Sequence, residues 1–355
     1  MSIKILKEFI NGKADAALII SEENVRYFTS FSSSNGYLLV TPNTAVFLTD
    51  SRYIEAAQNT VKTCDEVCEI KSVKETLSAL VSNLNIKSIM VEQSRMTLSQ
   101  LELFKKSFAD TEFVTTSLLD DEINLLRGVK TSEEKEKIEK AQRIAEKAFE
   151  RILTFIKPGI TEREISLELD YTMLRLGADA LSFETIAVSG ANGSMPHGVP
   201  SAKKIESGDF ITMDFGAVFD GYHSDMTRTV AVGSISDKQA EVYNTVLEAQ
   251  LAGLSAIRAG ISCKEVDEKA RNIIKSKGYG EYFGHGFGHG VGIEIHEFPR
   301  LSPSSDAVLE AGQVVTAEPG IYLPGQFGVR IEDMVMVTSD GHYNFTNSKK
   351  ELIIL

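Results

Sequence analysis

Over the first third of the chain, short apolar runs alternate with amphipathic stretches. Ala16–Ile20, Tyr37–Val40, Ala45–Leu48 and Ile89–Val91 read as strands, and the spacing of apolar residues predicts helices over Ile54–Val61, Val73–Leu84 and Ser99–Phe108. A short amphipathic helix precedes the first of these strands. Such an element order describes an α/β layer of modest size. No glycine-rich phosphate loop follows any of the strands, so no nucleotide site is expected here. The polar word Thr49-Asp-Ser-Arg-Tyr53 lies at a strand end, where Asp50 or Ser51 reads as a helix cap.

The pattern changes near Arg127-Gly128. Four words beyond that point match the capping box, a hydroxyl residue followed three positions later by Glu or Gln: Thr131…Glu134, Thr161…Glu164, Ser236…Gln239 and Ser262…Glu265. The first opens a helix whose apolar stripe includes Ile138, Ile144, Ala145, Ala148, Phe149 and Ile152, and Pro158-Gly159 ends it. Two domains are therefore expected, 1–126 and 127–355.

The second domain carries an internal repeat. The words at 156–165 and 257–266 resemble each other, as do 206–216 and 310–320, and His197-Gly-Val199 resembles His289-Gly-Val291. Three matches in one order imply two related halves, each helix–helix–strands, the second with an insertion around His296.

Composition narrows the function. Of 355 residues, 37 are Lys or Arg and 50 are Asp or Glu, a net charge of −13 that disfavours nucleic acid and anionic membrane as partners. Cys64, Cys68 and Cys263 are too few for a disulfide framework. With no signal-peptide pattern and no apolar run of about 18 residues, the chain reads as a cytoplasmic two-domain protein.

The repeat superposes Asp214 on Glu318, each at the end of an apolar strand and two residues before glycine. Asp220-Gly221 suits a two-residue type I′ turn, which sets Asp225 opposite Gly216 and diagonal to Asp214, with the glycine leaving room beside the acids. Arg330–Val337 reads as a further strand, with Glu332 analogous to Asp225. In Phe283–Gly292 glycine at every second position argues for a strand, bare on one face, with His285 and His289 on the other. Buried acids need a cation. Oxygen-rich ligation with one imidazole suits Mn²⁺, Fe²⁺, Co²⁺ or Zn²⁺, and four carboxylates match two such ions. Metal-assisted hydrolysis of a peptide or a phosphoester follows.

Asp214 in MDFG, Asp225 in HSDMTRT, His289 in GHGVG, Glu318 in TAEPG and Glu332 in VRIED together resemble the five-ligand pattern of the pita-bread metallopeptidases of family M24. The resemblance spans the whole chain. It implies a mixed α/β fold: a creatinase-type N-terminal domain, then a pseudo-two-fold catalytic domain. It also implies that Asp214 holds one metal, His289 and Glu318 the other, and that Asp225 and Glu332 bridge both. A hydroxide between the metals would attack the scissile carbonyl, with Glu318 as proton shuttle. His197 and His296 match the two non-ligand histidines that bind substrate and stabilise the oxyanion, and His285, Tyr322 and Arg330 match pocket positions. The N-terminal domain points to the Xaa-Pro-cleaving branch, acting on proline-containing peptides with two divalent ions, Mn²⁺ first, as a homodimer. Words such as SFETIAVSG favour aminopeptidase P. The alternative is prolidase, which needs a cation for the proline carboxylate, either Arg330 or an arginine such as Arg52 of a partner subunit. A non-peptidase role is disfavoured because all five ligand positions stand.

Overall fold

The computed structural model describes residues 2–108 and 110–355. The chain divides into two compact units, Met1–Arg127 and Gly128–Leu355.

The first unit is built on α1 (Ser2–Ile10), β1 (Ala16–Ile19), α2 (Glu22–Thr29), β2 (Gly36–Val40), β3 (Ala45–Thr49), α3 (Ile54–Thr60), β4 (Glu66–Glu69), α4 (Val73–Asn83), β5 (Ser88–Val91), α5 (Leu98–Ser107), β6 (Glu112–Val114) and α6 (Leu118–Gly128). Its six strands form one sheet in the order β4-β3-β2-β1-β5-β6. Side chains alternate across it. Ala17, Ile19, Leu38 and Phe47 pack with Leu6, Phe28 and Ile123 on one face, while Leu18, Leu39, Val46 and Leu48 meet Leu77, Val81 and Phe104 on the other. Apolar runs covered on both faces are continuous rather than alternating, as in the sequence. The cap expected of Asp50 or Ser51 is not formed. Tyr53 stands at the start of α3 without a side-chain cap, and Asp50 instead binds Arg52 (2.7 Å) and Asn35 (2.8 Å).

In the second unit, α7 (Ser132–Phe155), α8 (Glu162–Arg175), β7 (Ala180–Leu181), β8 (Ile186–Ser189), β9 (Phe210–Phe215), β10 (Ala217–Phe219), β11 (Tyr222–His223) and β12 (Met226–Ala231) make one half. The other is α9 (Asp237–Ala256), α10 (Cys263–Ser276), β13 (Gly288–Gly290), β14 (Glu297–Leu301), β15 (Val314–Ala317), β16 (Gly320–Leu323), β17 (Phe327–Arg330), β18 (Asp333–Val337) and β19 (His342–Asn344). Each half is a helix pair followed by strands, as the repeat implied. The four anticipated capping boxes all form, each worth about 1 kcal/mol. The stripe on α7 from Ile138 to Ile152 is buried.

Sheet β12-β9-β8 packs its Ile211, Met213, Phe215, Met226 and Val230 under α7 and α8. Sheet β14-β13-β15-β18-β19 packs Val315, Ala317, Val335 and Val337 under α9 and α10. Alternation then sends Thr212, Asp214, Asp225, Thr227 and Thr229 of the first half, and Thr316, Glu318 and Glu332 of the second, to the faces away from the helices. There the halves meet: Glu332 N donates to Thr227 O (3.1 Å) and Thr229 Oγ1 to Arg330 O (3.0 Å). No helix among the described residues is long and apolar enough to cross a membrane.

Candidate metal centre

Each of the four acids lies at a point where the chain leaves one sheet for another. Asp214 is the penultimate residue of β9, just before β10, and Glu318 follows β15 just before β16. Asp225 falls in the gap between β11 and β12, and Glu332 in the gap between β17 and β18. The continuous strand expected over Arg330–Val337 is thus broken at Ile331-Glu332, because its two parts pair with different partners, β16 and β15. The hairpin at Asp220-Gly221 forms with positive φ at both residues (46° and 75°), as a type I′ turn requires. Its register, Phe219 with Tyr222 and Phe215 with Met226, puts Asp225 level with Gly216. Gly216, however, clears space for the backbone rather than for the acids: a Cβ there would lie 1.9 Å from Ser224 O.

The glycine-rich word carries only one short strand, Gly288–Gly290, instead of a continuous one. Its glycines admit neighbouring backbone. A Cβ on Gly288 would stand 2.1 Å from Thr316 O, and one on Gly290 2.4 Å from Phe298 O. His289 is thereby drawn against β15 beside Glu318.

Asp225, His289 and Glu332 each offer a ligand atom within 4.8 Å of the others. Nε2 of His289 lies 3.2 Å from Glu318 Oε1 and 3.5 Å from Asp225 Oδ2, while its Nδ1 donates to Gly290 O (3.1 Å). The carbonyl bond fixes the proton on Nδ1, so the Nε2 lone pair of a neutral ring faces two carboxylates. Only a proton or a metal cation between them makes that arrangement favourable. Asp214 Oδ1 and Glu332 Oε1 are buried without a hydrogen-bond partner.

Electrostatics agree with the geometry. Burial, then Glu332 and Asp214, push Asp225 well above the usual carboxylate range; burial, then Glu318 and Asp214, do the same to Glu332. Burial also raises Asp214, against the pull of Arg330. Glu318 escapes: although burial opposes ionisation, the His289 contact holds it down to about 2, and the same contact raises His289 despite its burial. Four carboxylates and one imidazole, with two buried oxygens unpartnered, fit divalent cations of the Mn²⁺, Co²⁺, Zn²⁺ or Fe²⁺ type.

A cavity of about 670 Å³ opens on this cage, and all ten residues singled out in the sequence line it. His197 sits exposed on the rim between Pro196 and Pro200. His296 packs edge-on against His289, ring centroids 4.3 Å apart; partial burial, then the nearby His289, bring it down to about 4, so it is neutral near pH 7. His285, Tyr322 and Arg330 form a directed chain. Arg330 Nη1 donates to Tyr322 Oη (2.7 Å), Tyr322 Oη–H to His285 Nε2 (2.9 Å), and His285 Nδ1 to Gly286 O (2.9 Å). Arg330 also donates to Asp214 Oδ2 (2.7 Å), Thr227 Oγ1 (3.1 Å) and Pro196 O (3.3 Å). Its guanidinium is buried and spoken for, which leaves it poorly suited to receive a substrate carboxylate.

The sequence profile of metallopeptidase family M24 matches residues 136–339, and that of the creatinase/prolidase N-terminal domain matches residues 4–129. The chain belongs to metallopeptidase family M24. Among family members, it is 40% identical to an Xaa-Pro dipeptidase of Pyrococcus furiosus over 99% of this chain and 98% of the relative. It superposes with a TM-score of 0.95 on an Xaa-Pro dipeptidase from Bacillus anthracis, at 45% identity and covering 100% and 99% of the two chains. An X-Pro aminopeptidase from Thermotoga maritima superposes at 0.92 with 39% identity, covering 99% of this chain and 100% of that one.

One cavity residue escaped the sequence reading. Arg300, on β14 directly across from His289 of β13, is exposed, lines the cavity, and makes no hydrogen bond or ion pair among the described residues. A single arginine in the word EFPRL gives no local signal; only the β13–β14 pairing brings it to the cage.

Proposed function

We propose that the protein is an Xaa-Pro dipeptidase, hydrolysing the bond before a terminal proline. Asp214, Asp225, His289, Glu318 and Glu332 would hold two divalent cations, Mn²⁺ first. Such ions, when bound, supply a nucleophilic oxygen at neutral pH and polarise the scissile carbonyl.

The chain's own residues do the rest. Glu318, held ionised by its neighbours, is a carboxylate able to take a proton and pass it to the leaving proline nitrogen. Neutral His296 and the rim residue His197 face the same cavity and would donate hydrogen bonds to the oxygen that gains charge. Arg330 fixes Asp214 and Tyr322, and through Tyr322 it orients His285.

One observation favours the dipeptidase over the aminopeptidase P reading: the unpaired guanidinium of Arg300. A dipeptide places its only carboxylate one residue beyond the scissile bond, and an arginine suits it through charge-assisted, bidentate bonding. The identities to Xaa-Pro dipeptidases support the same reading. Initial rates on Leu-Pro and on Leu-Pro-Gly with Mn²⁺ test it. Cleavage of Leu-Pro with little cleavage of Leu-Pro-Gly is expected; comparable rates on both would restore aminopeptidase P.

A further inference from the structure

We infer that two buried threonines, Thr227 in the first half and Thr316 in the second, are positioning residues that fix the carboxylates of Glu332 and Glu318 for the cations. The inference rests on the metal-dependent reading above. Both side chains are inaccessible to solvent, and neither was singled out by sequence.

Each hydroxyl sits between a group that can only donate and a carboxylate that can only accept. Arg330 Nε–H donates to Thr227 Oγ1 (3.1 Å), and Thr227 Oγ1 lies 2.7 Å from Glu332 Oε2. His289 N–H donates to Thr316 Oγ1 (3.0 Å), and Thr316 Oγ1 lies 3.1 Å from Glu318 Oε1. A hydroxyl has one proton. With the N–H bond accepted, that proton goes to a carboxylate: to Glu318 from Thr316, and from Thr227 to Glu332 at 2.7 Å, with Asp214 also in reach across the strand pair.

For Glu332 the consequence is specific. Oε2 is occupied by Thr227, and Oε1 is the buried oxygen without a partner. The hydroxyl thus pins the side chain with one oxygen presented to the cage. It also crosses the seam between halves, because Thr227 belongs to β12 whereas Arg330 and Glu332 flank the gap after β17. Thr316 ties the backbone of His289 to the side chain of Glu318, so two neighbouring ligand positions share one hydroxyl. A bridging threonine hydroxyl thus stands once in each half, Thr316 steadying Oε1 of Glu318, the oxygen that also lies 3.2 Å from His289 Nε2.

Valine replaces a threonine hydroxyl with a methyl group of similar size, so Thr227→Val and Thr316→Val remove the bond and keep most of the volume; Thr227→Ser and Thr316→Ser keep the bond. The measurement is Mn²⁺ affinity by calorimetric titration into the chelator-treated full chain, alongside the melting temperature of the metal-free protein. Loss of a group that orients a metal ligand weakens binding by about 10- to 100-fold, and that is expected of each valine variant, with each serine variant within about threefold of wild type. A merely structural role would lower the metal-free melting temperature and leave Mn²⁺ affinity unchanged; that result, in either valine variant, overturns the inference. Should the valine variants not fold, serine variants that bind Mn²⁺ tenfold more weakly than wild type overturn it equally. If the wild-type chain itself takes up no Mn²⁺, the metal-dependent reading falls, and this inference with it.

Discussion

Replacing Arg300 with methionine keeps a long side chain and removes the charge at the one uncommitted guanidinium found on the cavity wall. A hydrogen bond to a charged group contributes about 1.5–3 kcal/mol. At 1.4 kcal/mol per decade, its loss amounts to roughly 10- to 100-fold in kcat/KM. Because Arg300 is solvent-exposed, water screens the pair and the lower end applies, about tenfold. The loss should fall on KM, since the proline carboxylate is bound equally in the ground and transition states. Leu-Pro and its C-terminal amide, Leu-Pro-NH₂, provide the control. Wild type should favour the free acid, whereas Arg300→Met should treat the two alike. Raising the ionic strength should narrow the wild-type preference and leave the variant unmoved. An equal fall in kcat/KM on both substrates would refute the reasoning, because Arg300 would then be supporting the fold or the cage rather than the carboxylate.

Two further outcomes follow from the same site. Asp225 and Glu332 have folded-state affinities for protons raised above those of the unfolded chain, so without metal the folded state binds more protons, and these two groups withdraw stability as pH rises above the unfolded carboxylate range near pH 4. Glu318 and Asp333 act in the opposite sense only below that range, whereas His285, His296 and His342, lowered by burial, add stability until pH passes the unfolded imidazole range near 6.5, so the decline shows above about pH 7. Melting curves of the chelated protein against pH check the sign; saturating Mn²⁺ should abolish the decline, and a metal-free melting temperature that climbs above pH 7 would falsify it. Gly288→Ala should push β13 off the Thr316 carbonyl, cost about 1–3 kcal/mol of stability and weaken Mn²⁺ binding through His289, whereas Gly284→Ala, with nothing within 4 Å of the new Cβ, should do neither. Thermal melts and Mn²⁺ titration of the two variants compare them directly.

What could be read from the sequence was local in origin. A capping box is satisfied within four residues, so Thr131, Thr161, Ser236 and Ser262 announce helix starts without help from the rest of the chain, although the equivalent box at Thr97 passed unnoticed. The Asp220-Gly221 turn needs only two residues that tolerate positive φ. The repeat exposed the pairing of Asp214 with Glu318 because both halves kept their words. What escaped depended on distant partners. The gaps at Ser224-Asp225 and Ile331-Glu332 exist because strands change sheets, which no local pattern encodes. The short helix α2 (Glu22–Thr29) and strands β4 and β6 were missed for want of a clear period. Asp50 reads locally as a cap, but it is turned to Arg52 two residues on and to Asn35 on a loop fifteen residues away, and the second contact has no local signal. Arg300 and the bridging hydroxyls of Thr227 and Thr316 acquire their roles only through strand register.

Period-two alternation also accounts for why the cage is where it is. In both halves the residues under the helices are apolar, and the opposite faces carry threonines and acids. Apolar faces alone could have closed the seam between halves more cheaply, because each buried carboxylate loses hydration that one Arg330 cannot restore to four. The threonines lower part of that cost: their hydroxyls satisfy one oxygen of Glu332 and one of Glu318 without adding charge. Against a formal −4 from Asp214, Asp225, Glu318 and Glu332, Arg330 supplies +1, and the −3 that remains surrounds two oxygens, Asp214 Oδ1 and Glu332 Oε1, left without donors. One divalent ion would leave −1 in the cavity and two would leave +1, so the charge count of the seam fits a pair of cations and a site that welcomes negative charge developing on a substrate.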